Sequence, residues 1–540
     1  MRTRPSPAEP ARAARPWRRG EEGTIGGGLA ASLLAPAAAL VAGAATMILE
    51  LAVGRILAPQ LGVSIHTWSA LIGFVLAGLA IGGWVGGRLA DRVEPRLALG
   101  GWLTLAAVGA LAALPLAALP PPRWLSATDV LGRIAWQTGL LVLAPSLALG
   151  AVLPSAARLA VRERATAGRR LGLLYALGSI GGIAGTLLTG FVLIDRIGSR
   201  PSVGLAGGAL ALLALLALGR AGGRAAGALR LASLAAPAAL LLGSPGALAG
   251  PCTLESAYVC IQIQSGQAGP LELRAMLLDR LLHSYGAPDD PTHLEYGYTR
   301  HFAAVARVHA EGRPPPRALF VGGGGYTVPR YLEATYPGAA IDVIEIDPRV
   351  TRAAELYLGL RPDTRIRTFN QDARQFFIER RTPGGYDLVF GDAFNDLSIP
   401  YQLTTREFDE QVRRSLAPDG LYLANVIDLF PAGDFLRAYM ATLRTVFLHV
   451  GILLEPLPSV ASPWVDGPVS TRRERATFVV VASAAPLPLD RLAGAPGAPG
   501  VVLGAEQFEA LVGPTGGLVL TDDYAPVDGL TGRLFLSRYP

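Results

Sequence analysis

Residues 318–347, ALFVGGGGYTVPRYLEATYPGAAIDVIEID, decide how the second half of this chain folds. A short apolar strand runs into Gly322, Gly323, Gly324 and Gly325, followed by a helical segment and a second strand ending in acids. Glycines at such a turn let the backbone approach a ligand closely, because no Cβ stands in the way. Glu345 lies 23 residues past Gly322. An acid at that distance, on the tip of the second strand, is placed to accept hydrogen bonds from ribose hydroxyls. The segment reads as a nucleoside-binding βαβ unit.

Working outward, strands are expected at 317–321, 340–346, 365–368, 386–391 and 420–426. Helices at 327–336, 348–357, 372–380 and 405–416 alternate with them. That alternation predicts a parallel, doubly wound sheet, completed by late strands at 449–454 and 476–483. A strand-rich segment at 252–285 and a helix at 291–309 precede it. Residues 485–500 form a Pro/Gly-rich linker, and a small cap carrying Asp522, Asp523 and Tyr524 closes the chain.

The first 249 of the 540 residues are of another kind. They hold 22 basic and 9 acidic side chains, against 26 and 33 in the remainder. Seven apolar stretches, near 30–54, 66–87, 97–119, 134–157, 171–193, 202–219 and 231–249, are long enough or nearly so to cross a bilayer. The seventh is the weakest, interrupted by Pro237, Ser244 and Pro245. The Arg-rich tail 1–27 is expected to be disordered. Seventeen loop and tail arginines fall on the N-terminal side of the membrane and four on the other, which predicts a multi-pass protein of the cell membrane with a cytoplasmic N-terminus. Arginines set between apolar runs are topology signals; they speak against a nucleic-acid groove. Small residues four apart, at Gly78 and Gly82, Gly83 and Gly87, Gly178 and Gly182, and Gly181 and Gly185, predict closely packed helices. Glu50, well inside a span, reads either as a functional carboxylate or as a buried partner of Arg55 or of another helix's backbone. Cys252 and Cys260 read either as a disulfide in an oxidising compartment or as two buried thiols. Seven crossings send the second half outside, six keep it inside, and both arrangements stay open.

Three further acids follow strands of the expected sheet, where such folds bind ligands. Asp372 opens a helix, as an N-cap, a recogniser of an adenine amino group, or both. Asp392 follows YDLVFG and is placed as a general base or as a partner for a cationic amine; Asp396 lies four residues on. Both also suit plain turn positions.

Residues 275–430 resemble the spermidine synthase (polyamine aminopropyltransferase) family, and the whole chain resembles its membrane-fused members. The second span, LGVSIHTWSALIGFVLAGLAIGGWVGGRLADR, adds to the likeness. The resemblance implies a multi-span helical bundle (28–249), a small β-rich lead-in (250–310) and a class I methyltransferase-like, Rossmann-like α/β domain (311–540). It implies that the Gly322–325 turn, Glu345 and Asp372 bind decarboxylated S-adenosylmethionine. Asp392 then takes the proton from the attacking amine, while His283, Tyr296 and Asp396 hold the acceptor. Gly325 stands where the family has an acid, Asn395 takes the second acid's place in the D-x-x-D loop, and Tyr298 replaces another. The donor and acceptor are cationic, so these losses bear on amine specificity more than on nucleoside binding.

The leading expectation is a membrane-anchored aminopropyltransferase acting on an amine such as putrescine, with the lipid bilayer as its other partner and room for a homo-oligomer. The alternatives are an S-adenosylmethionine-dependent methyltransferase and a non-catalytic nucleoside- or polyamine-binding, transport-linked protein. No metal is expected, since the His and Cys residues show no ligand spacing.

Overall fold

The computed structural model describes residues 25–122, 124–125, 130–161, 164–244, 246–380, 384–394, 399–430, 433–454, 474–495, 501–512 and 517–536. Apolar runs with few charges give the first half as helices: α1 (Ile25–Leu61), α2 (Ile65–Ala90), α3 (Pro95–Leu116), α4 (Val130–Ala160) and α5 (Ala167–Leu188). A π turn (Thr189–Leu193) carries α5 into α6 (Ile194–Ile197), and α7 (Ser199–Leu218) and α8 (Gly223–Leu242) follow. With α5 and α6 counted as one stretch, seven are long and apolar enough to cross a membrane. The seventh begins earlier than expected and contains Pro237 within its helix. It ends at Leu242, before Ser244. The expected disordered tail lies, up to residue 24, outside the described residues; Ile25 already belongs to α1.

The small residues act as spacing predicts, though on selected faces. A Cβ on Gly78, Gly82 or Gly86 would run into α4 at Ser146, Leu147 and Ala151. Gly181 and Gly185 sit as tightly against Leu40 and Ala44 of α1. Gly83 and Gly87 have no such neighbour, because they lie on the other side of α2. Two glycine faces therefore bring α2 onto α4 and α5 onto α1.

After the bundle, β1 (Leu254–Glu255), β2 (Cys260–Ala268), β3 (Leu271–Leu278) and β4 (Leu281–Gly286) form an antiparallel sheet. Next come α9 (Gly297–Ala310), β5 (Arg317–Val321), α10 (Thr327–Thr335), β6 (Ala340–Ile344), α11 (Pro348–Tyr357), β7 (Arg367–Phe369), α12 (Ala373–Glu379) and β8 (Tyr386–Gly391). The chain continues through α13 (Arg406–Ser415), β9 (Leu416–Phe430), α14 (Asp434–Arg444), β10 (His449–Leu454), β11 (Glu474–Ser483), α15 (Leu489–Ala493) and β12 (Val501–Gly504). The helices α16 (Ala505–Val512), α17 (Val527–Leu530) and α18 (Gly532–Leu536) close it.

The main sheet has the order β12-β10-β11-β9-β8-β5-β6-β7. It is mixed, which corrects the expectation of a parallel sheet. Strands β7, β6, β5, β8 and β9 run parallel, while β11 returns antiparallel to β9 and β10 and β12 extend that edge as antiparallel neighbours. β11 enters the sheet between β9 and β10 and pairs antiparallel with both. Buried residues on both faces, with Phe320 stacked on Phe390 at 4.4 Å, make the centre of the sheet an apolar core.

Side chains join the two halves. Cys252 and Cys260 form a disulfide, closing the loop that contains Ser256 and Tyr258. Arg55 of α1 donates to the carbonyls of Ser256 (3.1 Å) and Tyr258. It is thus engaged by backbone oxygens of this loop, and the Glu50 pairing is replaced by a contact the sequence does not suggest. The Ser199 amide donates to Glu255 Oε2 (3.0 Å), and Arg349 donates to the Asp195 carbonyl (2.6 Å).

Candidate active site

The glycine turn leaves β5 with Gly322 at φ +99° and Gly324 at φ +48°, conformations in which a side chain is strained. A Cβ on Gly322 would also strike the Asp392 carbonyl, so this turn and the end of β8 touch through bare backbone. Tyr326 is left-handed as well (φ +56°), although it is not glycine. Its ring is fully buried, and its hydroxyl lies 3.0 Å from Thr351 Oγ1 and 3.1 Å from Thr368 Oγ1. Those anchors offset the cost of the backbone, roughly 1–3 kcal/mol at such a site.

Glu345, one residue past β6, holds this turn. Its Oε2 accepts from the amides of Gly323 (2.8 Å) and Gly324 (3.4 Å), and its Oε1 from the Asp347 amide (3.0 Å). Burial pushes its carboxyl above the usual range, and the amides of Asp347 and Gly323 oppose the shift. Three accepted bonds leave acceptor capacity for a ligand. Glu345 lines a cavity of about 600 Å³ with Tyr258, Asp347, Phe394, Tyr401 and Asp528 among its walls. That volume is in the range of small-molecule pockets.

Asp392 lies one residue past β8. Tyr298 Oη donates to its Oδ2 (2.9 Å) and Asn425 Nδ2 to its Oδ1 (2.8 Å). Enclosure by protein pushes the carboxyl up to about 7, while the bonds from Asn425 and Tyr298 hold it back. It is therefore poised to exchange a proton near neutrality. Asp392 opens onto a smaller cavity of about 40 Å³ with His283, Ser284, Tyr296, Tyr298, Gly324 and Asn425. Phe394 walls both cavities, which are therefore neighbours.

The structure thus gathers Gly324, His283, Tyr296 and Asp392 around one pocket and Glu345 on the next. Tyr296 packs edge-on against Tyr298 at 5.2 Å, and His283 against Phe394 at 6.4 Å. Asp372 is different. It caps α12, accepting from the Gln375 amide (3.0 Å), and lines neither cavity. Asp396 lies outside the described residues. Gly325 carries no acid for a steric reason: a Cβ there would sit 2.7 Å from Ser284 Cβ and 3.0 Å from a Leu358 methyl, and its amide donates to Ser284 Oγ (2.9 Å).

Sequence reasoning missed Ser284 and Asn425 and noted Tyr298 only as a departure. Asn425 had a usable signal, a lone amide within the apolar run of β9. The parallel register of Gly391 with Ala424 puts it beside Asp392. No group of three or more metal-ligating side chains occurs among the described residues.

No protein-family model matches the chain. A polyamine aminopropyltransferase of Vibrio vulnificus is 37% identical over 134 residues, 25% of this chain and 44% of that protein. A probable polyamine aminopropyl transferase of Bifidobacterium longum is 30% identical over 146 residues, covering 27% of this chain and 32% of that protein. The chain thus spans less than half the length of each of these curated relatives. Among solved structures, a probable spermidine synthase from Corynebacterium glutamicum aligns with a TM-score of 0.41 and 24% identity, over 49% of this chain and 94% of that one. The two curated relatives bear out the resemblance to polyamine aminopropyltransferases.

Proposed function

We propose that this protein is a membrane-anchored transferase of the polyamine aminopropyltransferase kind. It moves an aminopropyl group from decarboxylated S-adenosylmethionine to a small amine such as putrescine. The observation that carries the reading is Asp392, a carboxylate near neutral pKa at the end of β8, held by Tyr298 and Asn425 next to the Gly322–325 turn. In this reading the adenosyl group occupies the larger cavity against Glu345. The acceptor nitrogen attacks the carbon bonded to the sulfonium, the C–S bond breaks, and the sulfur leaves as a neutral thioether. The proton of the new ammonium passes to Asp392. Alignment supplies most of the acceleration, because the leaving group is already activated by its positive charge. His283 and Tyr296 line the acceptor's side, with Asp396 as a further candidate.

The test is calorimetry on the full chain in detergent with the decarboxylated and intact donors, followed by product mass after adding putrescine. Donor binding with turnover that Asp392→Asn abolishes, binding being retained, supports the reading. Absence of binding by either donor refutes it.

Domain boundaries near 27, 249 and 310 and a cytoplasmic N-terminus belong to the same proposal. Seven crossings then put the α/β half on the opposite face, and the Cys252–Cys260 disulfide suits an oxidising compartment there. This disulfide favours a second reading, a nucleoside- or amine-binding module without turnover on the outer face. A phosphatase reporter fused after Pro540, active only outside the cytoplasm, separates the two arrangements.

A further inference from the structure

Exposed apolar side chains gather at the larger cavity. Among the described residues after 250, seven large apolar or aromatic side chains are exposed. Three of the seven, Tyr258 (49%), Ile346 (43%) and Tyr401 (58%), line this one cavity. Scattered exposure of such groups needs no explanation, whereas their convergence on a concave surface is the mark of a site for an apolar or flat ligand.

Tyr258 stands on a backbone fixed from several sides. Its loop is closed by the Cys252–Cys260 disulfide, and its carbonyl accepts from Arg55. Its amide and that of Val259 each donate to Ser256 Oγ at 3.0 Å, and Ser256 Oγ in turn donates to Asp347 Oδ2. That last bond sets the place of the tyrosine relative to the acids. Ser256 comes two residues before Tyr258, and Asp347 two residues after Glu345. The loop that presents the ring and the segment that presents the Glu345 carboxylate are thus tied together beside the cavity they share. A half-exposed aromatic ring on so constrained a loop can meet a ligand with little ordering cost. Glu345 brings an acceptor to the same space, and Tyr258 a flat π face. A nucleoside carries the matching pair, hydroxyls on its sugar and a planar base that stacks on aromatic side chains.

We propose that Tyr258 is the base-stacking residue of this site, its ring lying on the adenine face while Glu345 takes the ribose hydroxyls. The proposal rests on the transferase reading above and deepens it by naming the residue that sets affinity for the base. Because Arg55 of α1 holds the carbonyls of Ser256 and Tyr258, the helical bundle then contributes to nucleoside recognition.

The test uses the full chain in detergent, as wild type, Tyr258→Phe, Tyr258→Leu and Tyr258→Ala. The probes are 5′-methylthioadenosine, the neutral thioether that the proposed reaction releases, and 5-methylthioribose, which keeps the sugar and thioether and lacks the base. The first is measured by calorimetry and the second by competition against it. Tyr258→Ala is expected to weaken methylthioadenosine about five- to hundredfold and to leave methylthioribose within about twofold of wild type. Tyr258→Phe keeps the ring and should bind both as wild type does. Tyr258→Leu keeps apolar bulk without a π face and should lose affinity for methylthioadenosine alone; it decides the matter if the alanine variant fails to fold. In turnover, the KM for the donor rises while kcat and the acidic limb of the pH profile stay in place, as for binding energy common to ground and transition states. Methylthioadenosine binding unchanged in Tyr258→Ala and Tyr258→Leu overturns the proposal and leaves the transferase reading standing. Equal losses for the two probes overturn it as well, because the ring then acts through the shape of the loop. Failure of wild type to bind methylthioadenosine or either donor brings down the proposal and the transferase reading together.

Discussion

Tyr298→Phe tests the site through one oxygen atom. The substitution removes the hydroxyl that donates to Asp392 Oδ2 at 2.9 Å, and leaves the ring to pack against Tyr296 and Phe302. Asn425 Nδ2 still donates to the other carboxylate oxygen. A hydrogen bond to a charged group contributes about 1.5–3 kcal/mol. At about 1.36 kcal/mol per unit, its loss raises the Asp392 pKa by about one to two units from its present value of about 7. In the proposed reaction Asp392 works as an ionised base, so the acidic limb of the kcat/KM profile is expected to move to higher pH by the same amount. At pH 7 the ionised fraction falls about five- to fifty-fold, and activity returns as the pH is taken above 9. The assay is kcat/KM against pH for wild type and mutant with the best acceptor found. An acidic limb that stays in place, or moves to lower pH, refutes Asp392 as the base held by Tyr298.

Four further outcomes follow from the geometry. The folded-state pKa of Asp392 is raised, so its stability contribution is complete below about pH 4 and is lost as the pH rises through about 7; the Tm of Asp392→Asn should therefore gain on wild type between pH 5 and pH 8. Asp409 is fully buried, neither of its carboxylate oxygens has a partner among the described residues, and burial pushes its pKa well up; Asp409→Leu should raise Tm, most at alkaline pH, in a thermal scan. Gly82→Val puts a branched side chain into the Leu147 backbone of α4 and should abolish the folded, monodisperse protein in size-exclusion chromatography, whereas Gly87→Val should be tolerated. Replacing both Cys252 and Cys260 by Ser frees the loop whose Ala257, Tyr258 and Val259 line the larger cavity, and should weaken donor binding in calorimetry without moving the acidic limb of the pH profile.

The α/β half was largely legible because its local signals agree. Apolar runs of five or six residues set β5, β6 and β8, and the turn glycines adopt the backbone that only glycine takes easily. Strand direction was less legible. Whether β11 returns parallel or antiparallel to β9 depends on the connection, which hydrophobic pattern does not encode. The strand expected at 420–426 is longer, running from Leu416 to Phe430, and takes in Pro418 and Asp419, which look like a turn. In the site, carboxylates at strand ends were visible one by one, whereas their partners were not. Tyr298 and Asn425 lie 94 and 33 residues from Asp392, and only folding brings them within hydrogen-bonding distance. Asp372 shows the converse: a helix-capping position produces the same residue at the same strand end, and here the cap is the observed role.

The grip of Arg55 on the Ser256–Tyr258 loop has a consequence for how this protein is handled. The residue sits on the first long apolar helix, and the loop it holds forms one wall of the larger cavity. A soluble fragment beginning after residue 249 would lack that clamp and present a slacker pocket. If α1 spans a bilayer, as proposed, changes in lipid thickness that tilt the helix would pull on the same wall. Ligand affinity then becomes a reporter of the surrounding lipid, and measurements in short-chain and long-chain nanodiscs should differ.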